Sequence, residues 1–549
     1  MKFSQHNRAY FIDNLSKNNF DLLVVGGGIT GCGIALDAAL RGMKVALVEK
    51  HDFGFGTSSR STKLIHGGLR YLKQMELKLV RDVGRERAIV YRNAPHVVIP
   101  EKMLLPIVEN GSLGKQTSSL GLWVYDMLAG VKAAEQRKML SKHETITAEP
   151  LLDEKKLKGG GIYYEYRTDD SRLVIELAKS AFAQGVTLLN YCELKHFTKN
   201  NSGKISGAVI ADHLGKSNFT INASITVNAC GPWVDLLRKE DHSLKGKRLQ
   251  LTKGVHLVFP YQKLPLQQAA YFDVADGRMI FAIPRNGITY VGTTDTVYNQ
   301  DIDAPVASQA DVTYLLKAVN DMFPSVHLQQ SDIVSSWAGL RPLIHEDGKS
   351  PSELSRKDEI IVSESGLISI AGGKLTGFRL MAEKVVNLVA QKLSKIQAQT
   401  FKKCSTKKHR LAGGNFNTPE DANHYLLQLQ LEGKEKGFNE TEIATLFHKF
   451  GSESKTILAT ASNLKENKAA EAPLFWAELE YCIQNENILY PEDFLIRRTG
   501  NIFFARPQTQ ALLPAVVNKL AQEWQLHEAE ISAMQTNIEE AYARAVSFR

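Results

Sequence analysis

Cysteine is scarce in this chain. Its 549 residues include five, at positions 32, 192, 230, 404 and 482, with no C-x-x-C pair and no histidine placed beside them. That excludes a disulfide framework or structural zinc site and fits a reducing compartment such as the cytoplasm. Long apolar runs are missing as well, since no stretch reaches the ~20 apolar residues of a transmembrane helix. The opening MKFSQHNRAYFIDNLSKNNF holds no uninterrupted apolar core, so no signal peptide is expected. Low-complexity tracts and short-period repeats are absent. The formal net charge of +8 is modest. It suits an anionic substrate or an anionic lipid surface but selects no partner by itself, and no nucleic acid or metal is expected. What is present is an ordinary globular composition, 43% hydrophobic and 23% charged. The chain is too long for one core, which predicts two or three domains able to bury a large cofactor.

The stretch FDLLVVGGGITGCGIALDAALRGMKVALVEK, residues 20 to 50, organises the rest. Leu22 to Val25 is uncharged and apolar, as a strand buried on both faces should be. It runs into a G-x-G-x-x-G, with Gly26, Gly28 and Gly31 as its glycines. A helix of small and apolar residues follows, Gly42 stops it, and Met43 to Val48 gives a second strand ending in Glu49. The glycines allow a tight turn, a close approach of backbone to pyrophosphate, and close helix packing. The helix N-terminus offers N–H groups to phosphate, and Glu49 can accept from ribose hydroxyls. Strand, motif, helix, strand and terminal acid in that order predict adenine-dinucleotide binding. A plain βαβ unit would leave the terminal acid unexplained.

Further along, residues 74 to 92 read as a charged, mostly solvated helix face. Leu120, Leu122, Trp123, Tyr125, Met127 and Leu128 suggest an apolar helix packed in the interior rather than on a membrane. Helix 171–184 leads to strands at 186–189, 205–211 and 219–229. The last ends in Asn228-Ala229-Cys230-Gly231-Pro232-Trp233, where small residues let backbone lie near something flat. Arg285-Asn286-Gly287 between two alternating runs predicts a hairpin in a separate antiparallel layer. Residues 310 to 323 form a helix. A strand at 368–371 feeds Gly372-Gly373-Lys374-Leu375-Thr376-Gly377 and a long helix, well placed to return the chain to the cofactor. The expected organisation is a discontinuous Rossmann-like FAD-binding domain (1–95, 155–253, 345–393) and an antiparallel-sheet substrate domain (96–154, 254–344). A basic, solvated linker (394–414) and an all-helical domain (415–549) complete it. The fold class is thus α/β, of the glutathione-reductase or D-amino-acid-oxidase type, plus the helical end. Three glycine-rich turns, 54–68, 228–231 and 372–377, are available to enclose a buried flavin; a dissociable nicotinamide needs less enclosure.

The segments GGGITGCGIALDAALRG, GTSSRSTKLIHGGLRYL, SSWAGLRPL and AGGKLTGFR resemble the FAD-dependent glycerol-3-phosphate dehydrogenase family, and YPEDFLIRRTG resembles its helical end domain. The similarity covers nearly the whole chain. It implies oxidation of sn-glycerol 3-phosphate at C2 to dihydroxyacetone phosphate, with electrons passing through FAD to a membrane quinone. It further implies a peripheral position on the inner face of the cell membrane. The related oxidases, which use oxygen and form peroxide, carry an inserted segment, and no surplus stretch here can be placed as that insert. An amine or amino-acid oxidase would want a carboxylate clamp, whereas these cations suit a dianion. A non-catalytic flavin sensor needs no substrate pocket.

Such a site needs a base, cations for phosphate and positive charge near the flavin. Arg70, Arg341 and Arg356 are candidates for phosphate or hydroxyl binding, because the guanidinium fork matches oxyanions. His66, between Ile65 and Gly67, and His256, in a strand, share the candidacy for base. Tyr71 suits substrate binding or aromatic anchoring. Lys374 is the expected cation near substrate or ring, and Thr376 hydrogen-bonds there or caps the helix behind it. Gly26, Gly28, Gly31, Glu49, Ser61, Thr62, Lys63, Leu64, Gly231, Gly372 and Gly373 are the expected FAD contacts. Cys32 and Cys230 flank the cofactor as small buried residues, although covalent attachment is conceivable. The oligomeric state stays open between monomer and homodimer.

Overall fold

The computed structural model describes residues 1–66, 77–109, 136–345, 358–467 and 471–548. Arg70, Tyr71, Arg356 and the apolar stretch 120–128 lie outside the described residues.

Two sheets and a helical end build the described chain. The first sheet runs in the order Asp358–Val362, Ile368–Gly372, Ser217–Asn228, Asn19–Val25, Val45–Val48, Thr187–Leu189. Its middle is parallel: Asn19–Val25 pairs in parallel with both Ser217–Asn228 and Val45–Val48. Leu22, Leu23 and Val24 are fully buried, as a strand covered on both faces must be. The helices Ile29–Leu40, Asp170–Ala183 and Phe378–Gln397 share one apolar core with this sheet. Gly33 makes the packing close, because a Cβ there would sit 3.2 Å from the Phe378 ring.

The second sheet is mostly antiparallel and holds Leu249–Pro260, Met279–Arg285, Ile288–Gly292 and Ser335–Ile344. Asn286 (φ 47°) and Gly287 (φ 83°) turn its hairpin, a left-handed pair suited to the twist of the flanking strands. Residues 157–168, placed by the sequence reading within the FAD-binding domain, form a strand that pairs with Val98–Val108 in this second sheet.

From Pro419 onward every described element is helical. Charged side chains fasten this end to the first domain. Arg172 of the helix Asp170–Ala183 bonds both Glu176 and Glu486, all three fully buried. Asp52, just past the second strand, accepts from Arg497 and Arg498 at 2.6 Å each. Buried ions of this kind require partners, since an uncompensated one costs several kcal/mol.

Two expectations need correction. The helix Leu77–Asn93 is not a mostly solvated face. Glu86 and Arg87 are both buried, Glu86 accepting from Arg379 and Arg87 pairing with Glu165 at 3.1 Å. Nor does the basic segment before the helical end run freely through solvent. Lys402, Lys403, Lys407 and Lys408 are exposed, but Thr406 and Leu411 are buried, and Asn93 Nδ2 donates to the Thr406 carbonyl at 3.0 Å. No helix among the described residues is long and apolar enough to cross a membrane.

Candidate active site and cofactor cradle

The turn after Asn19–Val25 is built by exclusion. Gly26 has φ +109°, and a Cβ on Gly31 would lie 1.9 Å from the Gly26 carbonyl oxygen. Any side chain at 31 would force the turn and the helix apart. Glu49 closes the turn from the next strand, Oε2 accepting from the Gly27 N–H at 2.6 Å and Oε1 from the His51 N–H at 2.9 Å. Burial pushes its carboxyl up, while those two backbone donors pull the other way. The first N–H of the helix Ile29–Leu40 donates to the Ser58 hydroxyl at 3.0 Å, which ties the following loop to the helix N-terminus.

A cavity of about 470 Å³ opens on this turn. Segments distant in sequence line it, among them parts of 26–30, 49–66, 229–233 and 372–376 and residues 339–343 of the strand Ser335–Ile344. Among the expected residues it brings together Gly26, Gly28, Glu49, Ser61, Thr62, Leu64, His66, Gly231, His256, Arg341, Gly372, Gly373, Lys374 and Thr376. Gly31 does not line it and acts in the packing beneath. Lys63 does not line it either. Its ammonium is buried and donates to Asp170 Oδ1 at 2.5 Å and to the Ser59 carbonyl at 3.3 Å. Asp170 also accepts from the Ser61 N–H at 2.9 Å, so this carboxylate clamps the loop from behind.

The second sheet supplies the opposite wall. Leu249–Pro260 and Ser335–Ile344 are antiparallel neighbours, with Thr252 opposite Arg341 and His256 opposite Trp337. His256 stacks on Trp337 with centroids 4.8 Å apart and planes 11° from parallel. Its Nε2 lies 3.0 Å from the Thr62 hydroxyl, and its buried Nδ1 has no hydrogen-bond partner among the described residues. Burial, then the charges of Arg341 and Lys63, hold its pKa well below the ordinary imidazole value. The ring is therefore neutral at pH 7 and able to accept a proton. Arg341 is oriented by Asp295 Oδ1 and the Thr294 carbonyl, each at 3.1 Å, and by the Thr293 hydroxyl at 2.9 Å. Gly254 leaves room for that fork, since a Cβ there would meet the guanidinium at 2.3 Å.

Lys374 opens the turn before the helix Phe378–Gln397. Thr376 does not cap that helix; its hydroxyl donates to the His66 carbonyl at 3.1 Å, joining the last glycine turn to the first long loop. Both Cys32 and Cys230 are pushed by burial above the usual thiol range, so neither is a ready nucleophile.

Several lining residues were not singled out from the sequence: His51, Phe55, Ser58, Arg60 and Trp233. His51 stacks on Phe55 at 3.9 Å, and the Trp233 indole donates to Asp303 at 2.7 Å. Ser58 and Arg60 lie inside the GTSSRSTKL stretch, which was a usable signal. The pairing of His51 with Phe55 is local, whereas the approach of Trp233 is tertiary.

These features fit a dinucleotide. A glycine turn at a helix N-terminus admits pyrophosphate, and an acid stands at the end of the second strand. The family model for FAD dependent oxidoreductases matches residues 21–382, and one for the C-terminal domain of alpha-glycerophosphate oxidase matches residues 404–531. An aerobic glycerol-3-phosphate dehydrogenase of Bacillus subtilis is 50% identical over 529 residues, 96% of this chain and 95% of its own length. The chain belongs to the FAD-dependent glycerol-3-phosphate dehydrogenase family.

A second member, from Staphylococcus aureus strain USA300, is 47% identical over 99% of this chain and 98% of its own. The structure of the glycerol-3-phosphate dehydrogenase from Bacillus halodurans, solved with FAD, is similar with a TM-score of 0.85 and 44% identity, covering 99% of both chains. FAD is the cofactor of this family, and the residues of the cradle described above suit it.

Proposed function

We propose that this chain oxidises sn-glycerol 3-phosphate to dihydroxyacetone phosphate, with FAD as first electron acceptor and a membrane quinone as the final one. It would work as a peripheral protein at the inner face of the cell membrane. The observation that carries the reading is the meeting of His66, His256, Arg341 and Lys374 on one cavity beside the dinucleotide cradle. The named activity of relatives aligned over nearly the whole chain supports it.

Bound FAD supplies a two-electron acceptor for the hydrogen leaving C2. The chain must supply the rest. His256 is our choice of base over His66. Its ring lines the cavity, is held neutral and is fixed by Trp337 and by Thr62, which suits it to take the C2 hydroxyl proton. Arg341 and Lys374 bring positive charge to a phosphate dianion, and Asp295 with Thr293 keeps the Arg341 fork in one orientation. Arg70, Tyr71 and Arg356 stay proposed as further substrate ligands. Ser61, Thr62 and Leu64 hold FAD through the loop, with Lys63 setting that loop from behind. We assign the first sheet and its helices to FAD and the second sheet to substrate.

The test is an acceptor assay. Purified protein given glycerol 3-phosphate should reduce a short-chain quinone with one dihydroxyacetone phosphate per quinone, and should consume oxygen slowly. Stoichiometric peroxide formed at the same rate as product would replace the quinone reading with the oxidase one. No product with either acceptor would end both.

A further inference from the structure

A second cavity, of about 500 Å³, lies where the C-terminal helices meet the loop 51–60 and the strand Ser335–Ile344. His51, Phe55 and Arg60 line both this cavity and the cofactor cavity, so the loop separates the two.

Three guanidinium groups border the seam: Arg60, Arg497 and Arg544. Arg497 is spoken for, since its Nε donates to Asp52 at 2.6 Å and it pairs with Asp493. Arg544 holds Glu540 at 3.1 Å in a solvent-exposed pair, which is weak and easily exchanged. Arg60 differs from both. Its guanidinium stands 4.9 Å from the centre of the Phe55 ring and makes no hydrogen bond or ion pair with any described residue. Asp303, whose charge reaches it, is already engaged by the Trp233 indole at 2.7 Å. Burial and the Arg497 charge pull Arg60 down to about 10, the direction expected of a cation short of counter-charge.

The carboxylates of the seam do not make up the difference. Asp52 is shared by Arg497 and Arg498. Glu492 has its Oε2 buried without a partner among the described residues, and burial pushes its carboxyl up to about 7. When protonated, that carboxyl is a donor with nothing to donate to. Charge and hydrogen bonding are both incomplete in the same hollow.

We propose that this seam is a binding site for a small organic anion, a phosphate ester or a carboxylate, held by Arg60 and Arg544 with Glu492 hydrogen-bonded to it. The guanidinium fork matches either oxyanion, and Phe55 and Trp337 give apolar walls to its carbon part. Occupancy is coupled to the cofactor site through the shared loop. Thr57 Oγ1 donates to the Leu340 carbonyl at 2.6 Å, and Ser58 accepts from Ile29 at the cradle. An anion that steadies this loop therefore slows FAD loss.

The FAD-loaded enzyme is titrated calorimetrically with inorganic phosphate and, separately, with succinate, each at ionic strength held constant with sodium chloride. FAD release is followed by its fluorescence in parallel. At least one anion should bind saturably and slow FAD release, and which one does so separates phosphate ester from carboxylate. Arg544→Ala, which lines the seam alone, should weaken that binding about tenfold, the scale of one hydrogen bond to a charged group. Glu492→Gln keeps a donor and removes the like charge that the carboxyl carries when ionised, so at pH 8 binding should tighten a few-fold. The proposal is overturned if neither anion binds beyond the chloride control, or if Arg544→Ala binds as the unmodified enzyme does. Should Arg544→Ala not fold, unchanged affinity in Glu492→Gln overturns it instead.

Discussion

The Nε2 of His256 lies 3.0 Å from the hydroxyl of Thr62, which joins the wall of the second sheet to the loop that leaves the dinucleotide cradle. Thr62 fixes one imidazole nitrogen; the other is buried and has no hydrogen-bond partner among the described residues. Replacing His256 by Asn should lower kcat by roughly 10²–10⁴-fold, the usual contribution of a positioned base, while bound FAD per protein stays constant. Rapid-reaction kinetics with FAD content measured on the same samples checks this. A variant that loses FAD and activity in parallel would make His256 a cofactor residue.

The pH dependence has a definite sign. His256 is held well below the ordinary imidazole value by burial and by Arg341 and Lys63, so its proton-accepting form persists on acidification. The acid limb of kcat/KM should fall clearly below the unperturbed value of about 6.5. A break at that value would point to an imidazole that the protein does not perturb.

Stability follows the same logic at His448, whose half-buried ring is held at about 4, chiefly by burial and then by the Arg167 charge. The folded pKa lies below the unfolded one, so its contribution is complete above about pH 6.5. It is lost as pH falls from there to 4, where the unfolded chain takes a proton and the folded one does not. The loss is about 3 kcal/mol in order of magnitude. Thermal unfolding of the FAD-loaded enzyme should show a shallower decline over that window in His448→Gln. Parallel curves for the two proteins would count against it.

Arg341→Lys keeps the charge but loses the fork that Asp295 and Thr293 orient. KM for glycerol 3-phosphate should rise at least tenfold, the scale of one charge-assisted hydrogen bond, with FAD content unchanged. Equal loss of both would move this arginine out of the substrate pocket.

Lys63→Met leaves the Asp170 carboxylate without its ammonium partner in a buried setting. Breaking such a pair costs about 3–5 kcal/mol, so the midpoint of denaturation should drop sharply and FAD should dissociate faster. An unchanged midpoint would mean that Asp170 finds another partner.

What the sequence made legible was mostly local. The glycine turn, its helix and Glu49 occupy thirty consecutive residues, and each carries its own backbone requirement. The Asn286-Gly287 hairpin and the helical end are local in the same sense. The misreadings came from distant partners. Glu86 looked solvated because Arg379, which buries it, lies 293 residues later in the chain. Where the Lys63 side chain goes was not legible, because Asp170, which takes its ammonium, lies 107 residues away. Nothing local in residues 157–168 says which sheet they join, since their partner Val98–Val108 lies far away in the chain. Arg60 lies inside the GTSSRSTKL stretch, but no local pattern says that a loop arginine faces two cavities.

The most direct measurement is anaerobic. One equivalent of glycerol 3-phosphate is mixed with the FAD-loaded enzyme in the absence of any acceptor, and the flavin absorbance and product are followed together. The account predicts full bleaching of the yellow band with one dihydroxyacetone phosphate formed per flavin, and a rate that collapses in His256→Asn. A band that stays yellow in the unmodified enzyme would contradict it.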